Sequence, residues 1–338
     1  MKKRIWIFVA LVWFLSSCTS VKRTLRNEYT VVSYNVENLF DTVDDPKIPD
    51  EEFLPESEKK WTGERYQKKL SDISKVLSEV NPNELPEIIG LVEIENQSVL
   101  EDLIQTGKLK DQGYAIVHEE SPDYRGIDVA MIYRRDAFTE IRHEVLPVTF
   151  PDDPGFKTRD ILYVTGQIRH KTVHVFVNHW PSRIGGDAKT EPKRVLAASV
   201  LKAKVDQILA LDPKARIIIM GDMNDEPANK SLNETLGAES PDSGAKLVNL
   251  MMPDDTAGLG TYFYSGNWNM LDNLVVSGRL ITCKRFHVVD QKGFIFRNDW
   301  MIFTNKNADK TPNRSYVGNK YVGGVSDHFP VYFKMKVR

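Results

Sequence analysis

The stretch Arg216-Ile-Ile-Ile-Met-Gly-Asp-Met-Asn224 decides how this chain is read. Residues 216–220 form an almost wholly apolar run, which predicts a buried strand. The run ends at Gly221-Asp222, so a carboxylate is delivered where the strand leaves the core. The same pattern recurs along the chain. Residues 29–34 read as a strand ending at Asn35, and residues 88–92 as a buried strand delivering Glu93. Residues 172–178 read as a strand leading into Asn178-His179. A further strand over residues 271–277 begins at Asp272, and Ser326-Asp327-His328 stands just before a closing strand over residues 329–335. Strand ends hold side chains more firmly than loops do, which catalysis needs.

The rest of the chain supplies a scaffold for these stations. Residues 66–80 place Leu70, Ile73, Leu77 and Val80 on one helical face, and Pro82 and Pro86 end that helix. Strands are expected over residues 114–118, 128–133, 141–146 and 161–168, the last forming a hairpin that turns near His170-Lys171. A long helix is expected over residues 192–211, opened by Glu191-Pro192. The acidic, proline-bearing residues 41–60 read as a surface loop, and residues 294–324 as a long loop of functional length. No repeat and no long linker divides the chain, so one domain over residues 29–338 is the simplest organisation.

The joint chemistry is that of a metal-assisted phosphate-ester hydrolase. Magnesium prefers hard oxygen ligands and keeps several waters. Glu93 is the leading ligand, with Asn35 and Asp327 bound directly or through water. The chain has no His-Glu-x-x-His spacing and no cysteine pair, which argues against a dedicated zinc site. His179 and His328 then serve proton transfer or phosphate binding, Asn178 and Asn224 steady the non-bridging oxygens, and Asp272 orients His328. Any one station alone also fits an ordinary turn cap; their recurrence at strand ends carries the reading.

These segments resemble the endonuclease/exonuclease/phosphatase family. The matching stretches are Ser33-Tyr-Asn-Val-Glu-Asn38, Gly90-Leu-Val-Glu93, Val177-Asn-His-Trp180, Gly221-Asp-Met-Asn224, Leu271-Asp272 and Ser326-Asp-His328, in the family's order. The resemblance implies a four-layer α/β sandwich, with two central, mostly antiparallel sheets flanked by helices. It implies Mg²⁺ as cofactor, with Mn²⁺ able to substitute. It assigns metal binding to Glu93, help in holding metal and phosphate to Asn35, and catalysis to His179, Asp222, Asn224 and His328, with Asp327 in the terminal pair beside His328 and Asp272 supporting that histidine. Whether Asp222 or His328 takes the water's proton stays open. His179 matches the histidine that in deoxyribonuclease-like members contacts the phosphate and can act as general acid, which favours that branch. Glu37 stands where the abasic-site branch commonly has aspartate, and that branch's catalytic tyrosine has no match.

The N-terminus carries a second expectation. Lys2, Lys3 and Arg4 precede a short apolar run, which reads as a secretory signal. Leu15-Ser16-Ser17-Cys18 resembles a bacterial lipoprotein box, implying residues 1–18 as signal peptide, a lipid anchor on Cys18, a tether over residues 19–28 and an outer-membrane or cell-surface location. Cys283 is then left without a partner. A formal net charge of −2 and no basic block leave no broad electrostatic footprint for nucleic acid. That does not exclude a hydrolase meeting DNA or RNA transiently.

Arg125, Arg183 and Arg314 are further candidate phosphate contacts, and Trp180, Trp268 and Tyr264 candidate stacking surfaces. A nuclease or general phosphodiesterase is the first reading. A phosphatase or phospholipase C-like enzyme acting on inositol phosphate or sphingomyelin-like headgroups is the second, and a non-catalytic binding lipoprotein the third. A monomer is the default.

Overall fold

The computed structural model describes residues 26–338. The leading strands are β1 (Glu28–Leu39), β2 (Ile88–Ile94), β3 (Tyr114–His118), β4 (Asp128–Arg134), β5 (Thr139–Leu146), β6 (Ile161–Ile168), β7 (Lys171–His179) and β8 (Ile217–Asp222). The main helices are α1 (Gly63–Glu79), α2 (Gln97–Ile104) and α3 (Asp187–Leu211). One sheet runs Phe286–Val288, Val331–Val337, β1, β2, β4, β3. The other runs β5, β6, β7, β8, Asp272–Ser277, Leu247–Asn249, Ala238–Glu239. Most pairings are antiparallel. The parallel pairs β1/β2 and β7/β8 are each joined by a helical crossover, α1 and α3 respectively, because a parallel return needs a long connection.

Strand alternation explains the layering. In β1, Val31 faces the second sheet while Val32 faces the helices; in β2, Ile88 and Ile89 divide in the same way. In β8, Ile218 and Met220 enter the central core while Ile217 and Ile219 pack beneath α3. Strands buried on both faces must be apolar throughout, which is why these runs show no polar alternation. Leu70, Ile73 and Leu77 of α1 cover one sheet; Ala197, Leu201 and Val205 of α3 cover the other. The result is the expected α/β/β/α sandwich. Gly90 lets the sheets approach at the centre, since a Cβ there would lie 2.9 Å from the Met220 Cε.

Several expectations need correction. Helix α3 starts at Asp187, so Pro192 lies inside it rather than opening it. The early turn is held by buried Arg194, whose guanidinium bonds the Thr190 hydroxyl at 2.8 Å and pairs with Asp187 and Asp225. Helix α2 was not anticipated, although Asn96 caps it by accepting from the Val99 N–H at 3.1 Å. The long loop over residues 294–324 contains paired strands of only two or three residues, too short to show a period. Of the segment expected as a tether, the described residues 26–28 contact the domain: Glu28 pairs with Lys336 and Arg26 with Glu87.

The membrane reading is also corrected. Among the described residues no helix is long and apolar enough to cross a membrane. On that finding the lipoprotein and outer-membrane placement is withdrawn; the signal peptide and the Cys18 anchor themselves lie outside the described residues.

Candidate functional site

The parallel pairs β1/β2 and β7/β8 end together, and the candidate residues gather at those ends. β1 and β2 both break register there, after Asn35 and Val92. Glu37, Asn38 and Glu93 take positive φ angles of 53°, 55° and 65°. Such conformations are costly for non-glycine residues and persist where surrounding bonds enforce them. Here the Asn38 N–H donates to Glu93 Oε2 at 2.9 Å, and the Glu37 N–H to Asn35 Oδ1 at 2.9 Å.

Asn35 joins the two sheets. Its amide donates to Asp222 Oδ2 at 3.1 Å and lies 3.4 Å from Glu93 Oε1. Asp222 closes β8 and also accepts from the Asn224 N–H at 2.8 Å. The preceding Gly221 has φ 139°, and a Cβ there would sit 1.9 Å from the Asn178 carbonyl oxygen. Only glycine therefore lets β8 lie this close to β7.

Two imidazoles flank Asp222. The Nε2 atoms of His179 and His328 both lie 3.8 Å from Asp222 Oδ2. His328 Nδ1 meets Asp272 Oδ2 at 2.7 Å, and the ring stacks on Tyr262 at 4.8 Å. Burial lowers the His328 pKa, but Asp272 and Asp222 together hold it well above the usual imidazole value. Burial and the charges of Arg159, Arg125 and His328 push His179 well below it. Burial, reinforced by Asp272 and opposed by His328, raises Asp222 to about 7. The site thus holds one charged imidazole, one neutral imidazole and a carboxylate poised near neutrality.

A second acidic group lies beside these. The Glu37 carboxylate accepts from the Ser315 N–H at 2.6 Å and stands 3.9 Å from the Lys69 ammonium. Burial and the Asp327 charge raise it to about 7. Arg314 approaches Asp327 at 3.8 Å. Burial is the main cause of both upward shifts, with Asp327 adding to Glu37 and Asp272 to Asp222, and the oxygens of Asn35, Glu93 and Asp222 converge at the same strand ends. Hard oxygens gathered in this way fit a divalent cation. One strand away, His118, Glu120 and Asp128 offer ligand atoms within 4.8 Å of one another, a group also suited to Mg²⁺ or Mn²⁺.

Several of the residues singled out from the sequence turn away from the site. Asn178 is fully buried, with its amide bonded to the Met220 carbonyl and the Trp180 indole N–H, because neighbours on a strand point to opposite faces. Arg183 clamps the turn after β8 through the Asn224 carbonyl, Asn229 and Asn269. Asn224 also bonds inward, to the Trp180 carbonyl at 3.0 Å. Trp180 is a core residue, and Trp268 packs on Phe329. Arg125 is partly exposed near His179, with Asp123 at 3.5 Å.

Lys69 and Arg159 were missed. Lys69 reads as a polar position on an amphipathic helix, yet it is 3% exposed and bonds Ser315 and the Val325 carbonyl. Arg159 is buried on Asp123 and the Trp180 carbonyl at 2.9 and 2.7 Å. A single sequence carries no signal for either.

Comparison with known proteins agrees with this architecture. Solved structures similar to this chain include the Danio rerio TDP2 complexed with single-strand DNA product, at 12% identity and TM-score 0.57, covering 92% of this chain and 99% of that one. A Bacteroides thetaiotaomicron mannosyl-6-phosphatase matches at 16% identity and TM-score 0.56, covering 91% and 99%. The human Nocturnin catalytic domain with bound sulfate matches at 15% and 0.54, covering 93% and 96%. At such identities the likeness is one of fold. No curated protein matches the chain. The family model described as Endonuclease/Exonuclease/phosphatase family matches residues 30–337, nearly the whole described domain. The chain therefore belongs to the endonuclease/exonuclease/phosphatase family and is a divalent-metal-dependent hydrolase of phosphate esters.

Proposed function

We propose that residues 29–338 form a single, monomeric phosphodiesterase domain of the deoxyribonuclease-like type, acting on nucleic acid. The observation that carries this reading is Asp222, placed between two imidazoles at 3.8 Å with Asp272 bracing one of them. Glu93, Asn35 and Asp327 would hold the cation, which supplies charge to polarise the phosphoryl oxygens. Asp222 accepts a proton from the attacking water, its raised pKa suiting a general base at neutral pH. The new P–O bond forms in line as the opposite P–O bond breaks, and the leaving oxygen takes a proton from solvent, to which Asp222 returns the one it accepted. His328, kept protonated by Asp272, donates toward the phosphate and stabilises its growing charge. His179, kept neutral, serves as a hydrogen-bond donor rather than as the general acid anticipated by resemblance.

Two partly exposed arginines favour a diester within a strand over a lone monoester. Arg125 lies by His179 and Arg314 by Asp327, so neighbouring phosphates have cationic partners beyond the scissile one. The test compares bis-p-nitrophenyl phosphate with p-nitrophenyl phosphate in Mg²⁺, Mn²⁺ and EDTA. Metal-dependent cleavage of the diester supports the proposal. Cleavage of the monoester alone would favour the phosphatase reading.

A further inference from the structure

Among the exposed large apolar side chains, three meet around one cavity beside the site. Phe303, Val317 and Val322 are 53%, 60% and 44% exposed, and with Phe263 they line a space of about 260 Å³. Scattered surface apolar residues need no explanation, but a shared cavity beside catalytic groups does. These side chains come from the short hairpins inside residues 294–324 and from the hairpin Tyr262–Tyr264/Asn267–Asn269.

Arg314 belongs to both places. It lines the cavity, approaches Asp327 at 3.8 Å and stands close enough to Tyr262 for its charge to act on the phenol. Tyr262 in turn stacks on His328 at 4.8 Å and on exposed Tyr264 at 6.4 Å. Tyr262 and Tyr264 share one face of their strand while Phe263 points to the other, into the cavity, so Arg314, which lines the cavity and approaches Asp327, is the link between cavity and site. Asn305, Thr311 and Asn313 add polar groups to the wall.

We propose that this cavity is a nucleobase subsite: the base next to the scissile phosphate lodges against Phe263, Phe303 and Val322, while Arg314 takes its phosphate. The inference rests on the phosphodiesterase reading above and deepens it. A planar aromatic occupant is favoured because the lining sets the rings of Phe263 and Phe303 beside Val317 and Val322 with polar groups at hand, and Arg314 joins it to the site. Base–aromatic contacts of this kind tolerate any sequence, so the subsite would set a preference for unpaired strands rather than for a base identity.

The test uses diesters sharing one leaving group: methyl p-nitrophenyl phosphate and the 3′- and 5′-p-nitrophenyl phosphates of thymidine. At least one thymidine ester is expected to show a KM about tenfold or more below the methyl ester, the scale of one stacked base. Phe303→Ser and Val322→Ser, both at exposed positions, should erase that difference while leaving kcat on the methyl ester unchanged. Equal KM values for all three esters, or a difference that survives both substitutions, would overturn the subsite while leaving the phosphodiesterase reading intact. No cleavage of any diester in Mg²⁺ or Mn²⁺ would remove both.

Discussion

The two flanks of Asp222 are built by different means. On one side His179 is carried by β7, which is hydrogen-bonded in parallel to β8, so the backbone ladder pairs His179 with Asp222 directly. On the other side His328 stands in the segment before the last strand, with only an isolated bridge to Tyr262. Its place is set by side chains: Asp272 at Nδ1, the Ser326 hydroxyl on its N–H at 3.1 Å, and the Tyr262 ring. Lys69 then anchors the same segment through Ser315 and Val325. Both imidazoles arrive at the same distance from Asp222, but a ladder resists single substitutions on its side chains whereas a tethered segment does not.

Substitutions should separate the two. The largest effect is expected at Gly221→Ala, which drives a Cβ into the Asn178 carbonyl at a left-handed φ and pries β7 from β8. A loss of at least about 4 kcal/mol in denaturant unfolding is expected. Lys69→Met comes next. It leaves Glu37, Ser315 and the Val325 carbonyl without their cation, and breaking a buried pair typically costs about 3 kcal/mol or more. Its activity should fall further than its stability explains, because the Asp327-His328 segment loses its anchor. Native kcat in refolded Lys69→Met would show that the segment holds itself.

Asp272→Asn is a milder test of the tethered flank. A lost orienting partner typically lowers activity about 10–100-fold. The pH profile should change as well. Asp272 raises the His328 pKa, so its removal should shift the alkaline limb of kcat toward lower pH. An unmoved limb would mean that the protonated His328 does not enter the rate.

The smallest effect is expected away from both flanks. Burial raises Glu87 to about 7, partly offset by the Thr30 N–H and Arg26. The folded state therefore binds more protons than the unfolded chain between the ordinary value of 4.5 and about 7, so stability should fall as pH rises through that window. Glu87→Gln should flatten this dependence without altering activity.

What the sequence disclosed follows the same division. β2, β7 and β8 announce themselves as apolar runs because both faces are buried, and Asn35, Glu93, His179 and Asp222 stand at or just beyond the ends of such runs. Asp272 was legible as the head of a strand, and the ladder places it opposite Asp222. Asn178 misled because the strand's alternation, which sends His179 to the site, sends its neighbour into the fold. Lys69 and Arg159 were invisible for a different reason. Their partners, Ser315 and Val325 for one, Asp123 and Trp180 for the other, lie far away in sequence and become neighbours only on folding. The hairpins around Phe303 and Val317 carry too few residues per strand for a pattern to register.

The most direct test is the Mg²⁺-dependent rate of bis-p-nitrophenyl phosphate cleavage by Asp222→Asn, measured beside its thermal midpoint. Asparagine keeps the shape but neither takes a proton nor carries the buried charge. The account predicts a rate about 10³-fold lower or less, the order expected when an essential base is lost, with a midpoint unchanged or raised because a carboxylate under desolvation strain is gone. A rate within a few-fold of the unaltered protein, at an unchanged midpoint, would contradict the placing of the chemistry at Asp222.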